Sequence, residues 1–542
     1  MQLSNETPIN HVSFFSKKRI IAKPGFNRWL VPPAALAIHL CIGMAYGFSV
    51  FWLPMSNLIG KTCAPESSVW QQLFTTTCDW RISLLGWTYT LFFIFLGCSA
   101  ALWGQWLEKV GPRKVGMVAT FAWCGGLLLA ALAINQHQLW LLWLGAGAIG
   151  GIGLGLGYIS PVSTLLRWFP DKRGMAAGMA IMGFGGGAMI GAPFANKLMA
   201  FYAEGAEKGV WQTLLTLAAI YFIFMLAGTL SYRLPPMGWK PRGWQPSPTQ
   251  SDLNVHYSVH VSVACKTRQF WLLWLVLCLN VTAGIGILGM ASPMLQEVFA
   301  GKLLGNDLSW QQLDAPALTR VAAVAAGFTG LLSLFNIGGR FFWASISDYL
   351  GRKKTFTLFF VLGAILYLLT IFAASSNSLW LFVLTFCIII SMYGGGFATI
   401  PAYLADQFGT QMVGAIHGRL LTAWSAAGIF GPVLVNYLRE YQLAQGVAPA
   451  RIYDVTLYSL AALLCVGFIC NILVTRVPEK YAMSDEELKQ AASTYKVDPN
   501  TPLEWQANRS SYPWAVLAWL VVMLPLLWGI AITLQQSIHL FT

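Results

Sequence analysis

Charge is what this sequence has least of: only 10% of its 542 residues are Asp, Glu, Lys or Arg, against 56% that are hydrophobic. So dry a composition excludes an ordinary soluble domain, and the scarcity of charge along long stretches excludes a disordered chain. No CxxC pair or Cys/His cluster offers metal-ligand spacing, and no span or loop assembles a nucleophile, base and metal set, so neither a metal centre nor an enzyme is expected. Regular alternation of polar and apolar residues is also missing, which excludes a membrane barrel. What remains are continuous apolar runs of twenty or more residues, each long enough to cross roughly 30 Å of hydrocarbon. In lipid such runs must pair their own backbone groups, and so must be helices.

The reading predicts helices over about 29–54, 83–106, 114–134, 139–166, 173–199, 211–231, 269–297, 319–346, 355–375, 379–405, 415–438 and 454–475, with a thirteenth at about 514–534. The net charge of +13 is a topology signal rather than a nucleic-acid signal. Lys17, Lys18, Arg19, Lys23 and Arg28 precede the first span, and basic residues then gather in alternate loops, such as Arg113 and Lys114, Lys172 and Arg173, and Arg352 to Lys354. That pattern places the N-terminus in the cytoplasm of a bacterial inner (plasma) membrane. Cys63 and Cys78 fall in the first external loop, where an oxidising periplasm permits a disulfide between them. His256 and His260 lie at helical spacing in a linker, without a third metal ligand.

The chain repeats itself with an offset of 240 residues. Trp70-Gln-Gln-Leu73 recurs as Trp310-Gln-Gln-Leu313, and Glu108, Gly111, Lys114, Pro161, Gly174 and Gly178 are matched by Asp348, Gly351, Lys354, Pro401, Gly414 and Gly418. Two parallel six-helix halves related by an axis along the membrane normal follow from this. The expected organisation is a basic N-terminus (1–28), a first half (29–232), a linker (233–268), a second half (269–476), a second linker (477–512) and an extra helix (513–542). The second linker contains Ser484-Asp-Glu-Glu487, a capping-box pattern. Glycines from Gly145 to Gly157 lie inside an apolar span, so they serve close helix packing and no ATP is expected.

Gly104-Gln-Trp-Leu-Glu108-Lys-Val-Gly111-Pro-Arg113-Lys114 resembles the loop motif of the major facilitator superfamily, and Ser347-Asp348-Tyr-Leu-Gly351-Arg352-Lys353-Lys354 is its second copy. Tyr158 followed by Arg167-Trp-Phe-Pro-Asp-Lys-Arg-Gly174, Gly339-Arg340, and Tyr393-Gly-Gly-Gly-Phe397 resemble the oxalate/formate antiporter family, which is related to the monocarboxylate transporters. The resemblance implies an all-α polytopic membrane protein of the major facilitator fold, with an extra C-terminal helix, acting as a monomer without a cofactor. It also implies that Glu108 and Asp348, pairing with Arg113 or Arg352, act as gates.

Arg340 lies eight residues before Asp348, roughly 12 Å inside its helix end. It is the sole charged residue so deep in any span. A guanidinium there is costly unless it faces a cavity or an anion, and its planar fork suits a carboxylate. Backbone carbonyls and water holding a structural brace is the competing account. In the resembling transporters the matching Arg anchors the substrate. Oxalate carriers among them add a Lys in the eleventh helix, where this chain has Leu421-Thr-Ala-Trp424. One cation favours one carboxylate, hence formate, pyruvate or lactate over oxalate. Asn336, one turn before Arg340, stands where proton-linked relatives carry Asp, which favours exchange over proton symport. Tyr46, Tyr158 and Tyr393 match positions that close over the substrate, with Phe397 as an apolar wall, although ordinary packing would also account for such aromatics. His39 is read as a packed, hydrogen-bonded residue. The alternatives carried forward are a proton-coupled monocarboxylate symporter and a carboxylate-sensing receptor.

Overall fold

The computed structural model describes residues 16–61, 63, 68–74, 76–204, 208–245, 257–305, 310–448, 451–488 and 502–538. Among them thirteen helices are long and apolar enough to cross a membrane. They are α1 (Arg28–Met55), α2 (Leu84–Val110), α3 (Pro112–Asn135), α4 (Leu139–Trp168), α5 (Arg173–Tyr202), α6 (Val210–Ser231), α7 (Arg268–Leu303), α8 (Arg320–Leu350), α9 (Arg352–Ser375), α10 (Leu379–Phe408), α11 (Val413–Ala444), α12 (Asp454–Ile472) and α13 (Arg509–Ser537). The ends of α7 and α11 run six residues beyond the sequence expectation. The α11 extension is polar (Arg439, Glu440, Gln442) yet helical, whereas the α7 extension runs through a kink at Phe299. Glu297 on α7 is held by Arg439 of α11 and Tyr453.

Helices α1–α6 and α7–α12 form two bundles that meet along two seams, α5 against α8 and α2 against α11. Side chains such as Leu102, Phe121, Ile223, Ile365 and Trp380 point outward from the bundles and are more than half exposed, as a surface solvated by hydrocarbon requires. Within α4, residues Trp143–Ile149 widen into a π-helical stretch, which the sequence reading did not foresee. The repeated loop motif has a backbone reason. Gly111 and Gly351 sit at φ +87° and +89°, where a side chain would strain the turns into α3 and α9.

The basic end of the bundle is tied by its peripheral segments. Arg28 pairs with Asp171 at 2.7 Å, the Asn508 amide donates to Gly25 O at 2.9 Å, and Trp505 Nε1 donates to Phe26 O at 3.1 Å. Ser484 and Glu487 cap each other reciprocally, as the capping box requires. Cys63 and Cys78 are joined as a disulfide at the opposite end. His256 lies outside the described residues, and His260 caps a short turn through Ser262 N. No cluster of three metal-ligating side chains occurs among the described residues.

Lys17 docks into the basic end, with its ammonium donating to Glu108 O. Burial there, with Arg167 nearby, brings it down to about 8 from an ordinary 10.5. Below pH 8 the docked and released forms both hold the proton. Between about 8 and 10.5 the released form holds more protons, so docking strengthens as pH rises. The thermal midpoint should therefore gain an upward slope in this window that Lys17→Met lacks, and parallel pH profiles for the two proteins would refute the effect.

Candidate functional site

The middle of the α5/α8 seam holds the buried cation. Arg340 is wholly buried. Its Nε donates to Asn336 Oδ1 at 3.0 Å, one turn earlier on α8, and one terminal nitrogen donates to Ile181 O of α5 at 3.2 Å. The other terminal nitrogen has no acceptor. Room for the group comes from two glycines: a Cβ on Gly185 of α5 would stand 3.1 Å from Arg340 Nε, and one on Gly394 of α10 would collide with Asn336. No ion pair to Arg340 is formed among the described residues.

Aromatic rings enclose this cation. The guanidinium carbon lies 5.7 Å from the Phe184 ring centre and 5.5 Å from that of Phe397, within cation–π range. Trp424, 1% exposed, is the hub of the box, with ring centres 5.3 Å from Tyr158, 5.4 Å from Phe184 and 5.0 Å from Phe397. Tyr46 donates to or accepts from Tyr393 hydroxyl to hydroxyl at 3.2 Å, joining α1 to α10 across the halves. The structure thus brings together Arg340, Asn336, Tyr46, Tyr158, Tyr393, Phe397 and Trp424. Two more residues join them that the sequence reading did not single out. Phe184 is one ring among many in an aromatic-rich chain, and His417 of α11, 5.9 Å from the Tyr158 ring, lay in a stretch whose alignment rested on Trp424.

Three donors in this box are buried with no hydrogen bond of good geometry, the second terminal nitrogen of Arg340, the Tyr158 hydroxyl and Trp424 Nε1, as is His417 Nε2. The Tyr46 hydroxyl interacts with both Arg340 and Trp424. Orphaned buried donors cost free energy, on the order of 1–3 kcal/mol each and more for a charged group. An acceptor-only guest with a single negative charge would satisfy them. His39 is hydrogen-bonded, its Nδ1 2.5 Å from Ala180 O and its Nε2 3.3 Å from Tyr158 O; as a neutral imidazole it donates to one of these two carbonyls.

The basic end is closed by two matching contacts across the halves. Glu108 of α2 accepts from the Gly414 amide at the start of α11 (3.0 Å) and pairs with Arg167. Asp348 of α8 accepts from the Gly174 and Met175 amides at the start of α5 (2.8 and 2.9 Å) and pairs with Arg352. Each carboxylate thus sits on a helix N-terminus of the opposite half, where the dipole favours it. Asp406 extends the second contact, pairing with Arg352 at 3.1 Å and Arg173 at 2.9 Å. Arg113 is a correction: it donates to Leu230 O and Tyr232 O inside its own half rather than to Glu108, whose partner is Arg167. Spacing along the chain favoured the nearer arginine, but the turn at Gly111 directs Arg113 toward the end of α6.

Two helical halves, a polar centre buried between them and a closure at one end define a transporter working by alternating access rather than an enzyme. The sequence profile of the Major Facilitator Superfamily matches residues 35–432 and 320–541, and the chain belongs to that superfamily. It is 26% identical over 408 residues to the oxalate:formate antiporter of Oxalobacter formigenes, covering 75% of this chain and 83% of that one. It is 24% identical over 415 residues to apicoplast pyruvate carrier 1 of Toxoplasma gondii, covering 68% and 70%. Among solved structures, the fucose:proton symporter of E. coli aligns at TM-score 0.57 and 14% identity, over 83% of this chain and all of that one. A proton:xylose symporter aligns at 0.57 and 13%, over 85% and 98%, so both support the fold alone.

Proposed function

We propose that this chain is a secondary transporter exchanging small monocarboxylates, with Arg340 as the anchor of the carboxylate. The observation that carries the reading is a wholly buried guanidinium with one terminal nitrogen left without a hydrogen bond, inside a box of donors and rings, and with no ion pair to a carboxylate among the described residues. One oxygen of a formate, lactate or pyruvate would meet the free nitrogen of Arg340, and the other would meet Tyr158 or Trp424. A dianion would leave one charge unmatched, because Trp424 brings a dipole and no charge to the α11 wall. Apart from these donors the box is walled by the rings of Phe184, Phe397 and Trp424, which suits an acid with a short apolar body.

Exchange follows from the same charge. Empty, the site carries a bare cation that resists passage through the occluded intermediate, whereas loaded it is neutral. Asn336 holds Arg340 but cannot take a proton, so it offers no coupling site. The resemblance to the oxalate:formate antiporter and to the pyruvate carrier supports a carboxylate cargo. With the basic end in the cytoplasm of a bacterial inner membrane, as the loop charges indicate, the cytoplasmic gate is the closed one.

Counterflow in proteoliposomes tests this. Labelled formate, lactate or pyruvate should enter in exchange for the same class of internal anion, with oxalate at least about tenfold slower. A pH dye inside the vesicles should stay flat during exchange. Steady acidification would instead establish the proton symporter, and binding without counterflow of any carboxylate would establish a receptor.

A further inference from the structure

Helix α13 has no counterpart in the internal repeat, and it encloses space rather than filling it. It is pinned at two points: Trp519 Nε1, in its first half, donates to Trp29 O at 3.1 Å, and Ser537 Oγ at its end donates to Gly327 O of α8 at 3.0 Å. In between, Leu526 rests against Gly186 of α5. Held at these points, α13 bridges a recess beside α1, α5 and α6 that it cannot collapse into. The result is a cavity of about 380 Å³ lined by residues including Leu40, Gly187, Ile190, Phe194, Val522 and Trp528. Its volume falls in the range of small-ligand sites, about 300–1,000 Å³.

The lining carries no charged side chain. An apolar cavity of this kind stays free of water, so a hydrocarbon chain is the guest it suits. Along α5 the cavity runs seven residues, from Gly187 to Phe194, or roughly 10 Å. Three residues further on the same face stands Lys197, exposed, with its Nζ 5.3 Å from the ring centre of Trp528 on the opposite wall. No ion pair to Lys197 is formed among the described residues. A cation at the mouth and a dry slot below it match the two ends of a phospholipid.

We propose that α13, α1, α5 and α6 form a binding site for one anionic phospholipid, with an acyl chain in the slot and the phosphate on Lys197. The site is separate from the Arg340 box and does not depend on the identity of the cargo. Native mass spectrometry of the full chain, titrated with phosphatidylglycerol and phosphatidylethanolamine, tests it. One lipid should be retained, with phosphatidylglycerol favoured about fivefold for the single lysine contact. Lys197→Ala should bring the two lipids to parity while still retaining one. Val521→Trp, which fills the slot from α13, should abolish retention of both. Ile220→Trp does the same from α6 and replaces it should the first variant fail to melt as a folded protein. Unchanged retention in the filled variants, or equal affinity for the two lipids in the unaltered protein, overturns the proposal.

Discussion

Arg340→Lys should leave a protein that folds, purifies and melts normally but exchanges carboxylates about 100-fold more slowly or worse. The charge is kept, so a brace that needed only a cation would tolerate the change. What is lost is the fork. The guanidinium reaches Asn336 with Nε, Ile181 O with one terminal nitrogen, and the box with the other. A single ammonium nitrogen, with a shorter reach than the guanidinium, cannot hold the first two contacts and still face the box. Truncating one partner of a buried charged hydrogen bond costs about 2–5 kcal/mol, and each 1.4 kcal/mol is tenfold, so a 100-fold loss lies in the lower half of the range. Two readouts separate the roles. Counterflow measures the loss, and the thermal midpoint reports whether the seam still packs. Arg340→Gln should be as inactive and should also lose the shift in midpoint that a saturating monocarboxylate gives the unaltered protein. Exchange at an undiminished rate in Arg340→Lys would refute the anchor role.

Much of this site was legible in the sequence because membrane physics makes charge conspicuous. One arginine in the middle of an apolar span cannot be a surface accident, and the offset of 240 residues paired Glu108 with Asp348 and Gly174 with Gly414 before any contact was seen. The structure shows why those four repeat together: the carboxylate of each half caps a helix of the other. Aromatic residues were harder to read. With 14% of the chain Phe, Trp or Tyr, no periodicity tells a box ring from a lipid-facing one. Phe184 was missed for that reason, while Trp424 was found by resemblance although its central place in the box was not. Arg167 holds the place expected of Arg113 because ion-pair partners depend on how two helices approach, which local spacing does not encode. Asp406 and Arg173 went unread as a pair for the same reason, being 233 residues apart.

Asp348→Asn should release the gate, and the release should be felt at both contacts. The carboxylate accepts two amides at the start of α5 and faces Arg352. Breaking a buried pair outright costs about 3–5 kcal/mol, but Arg352 keeps Asp406 and the amide oxygen of Asn can still accept one bond. A loss of about 1–3 kcal/mol remains, which moves the closed-to-open ratio by roughly 10- to 100-fold. Hydrogen–deuterium exchange reads this directly, because the Gly174, Met175 and Gly414 amides are themselves the gate's donors. A local defect would deprotect residues 172–178 alone. If each half moves as a body, separating them at Asp348 also pulls Gly414 from Glu108, so residues 412–418 should lose protection by a similar factor. Glu108→Gln should give the mirror result, deprotecting residues 172–178 from the far side. Deprotection confined to the altered contact in both variants would mean that the two closures are independent caps, and the rigid-body gate would have to be abandoned.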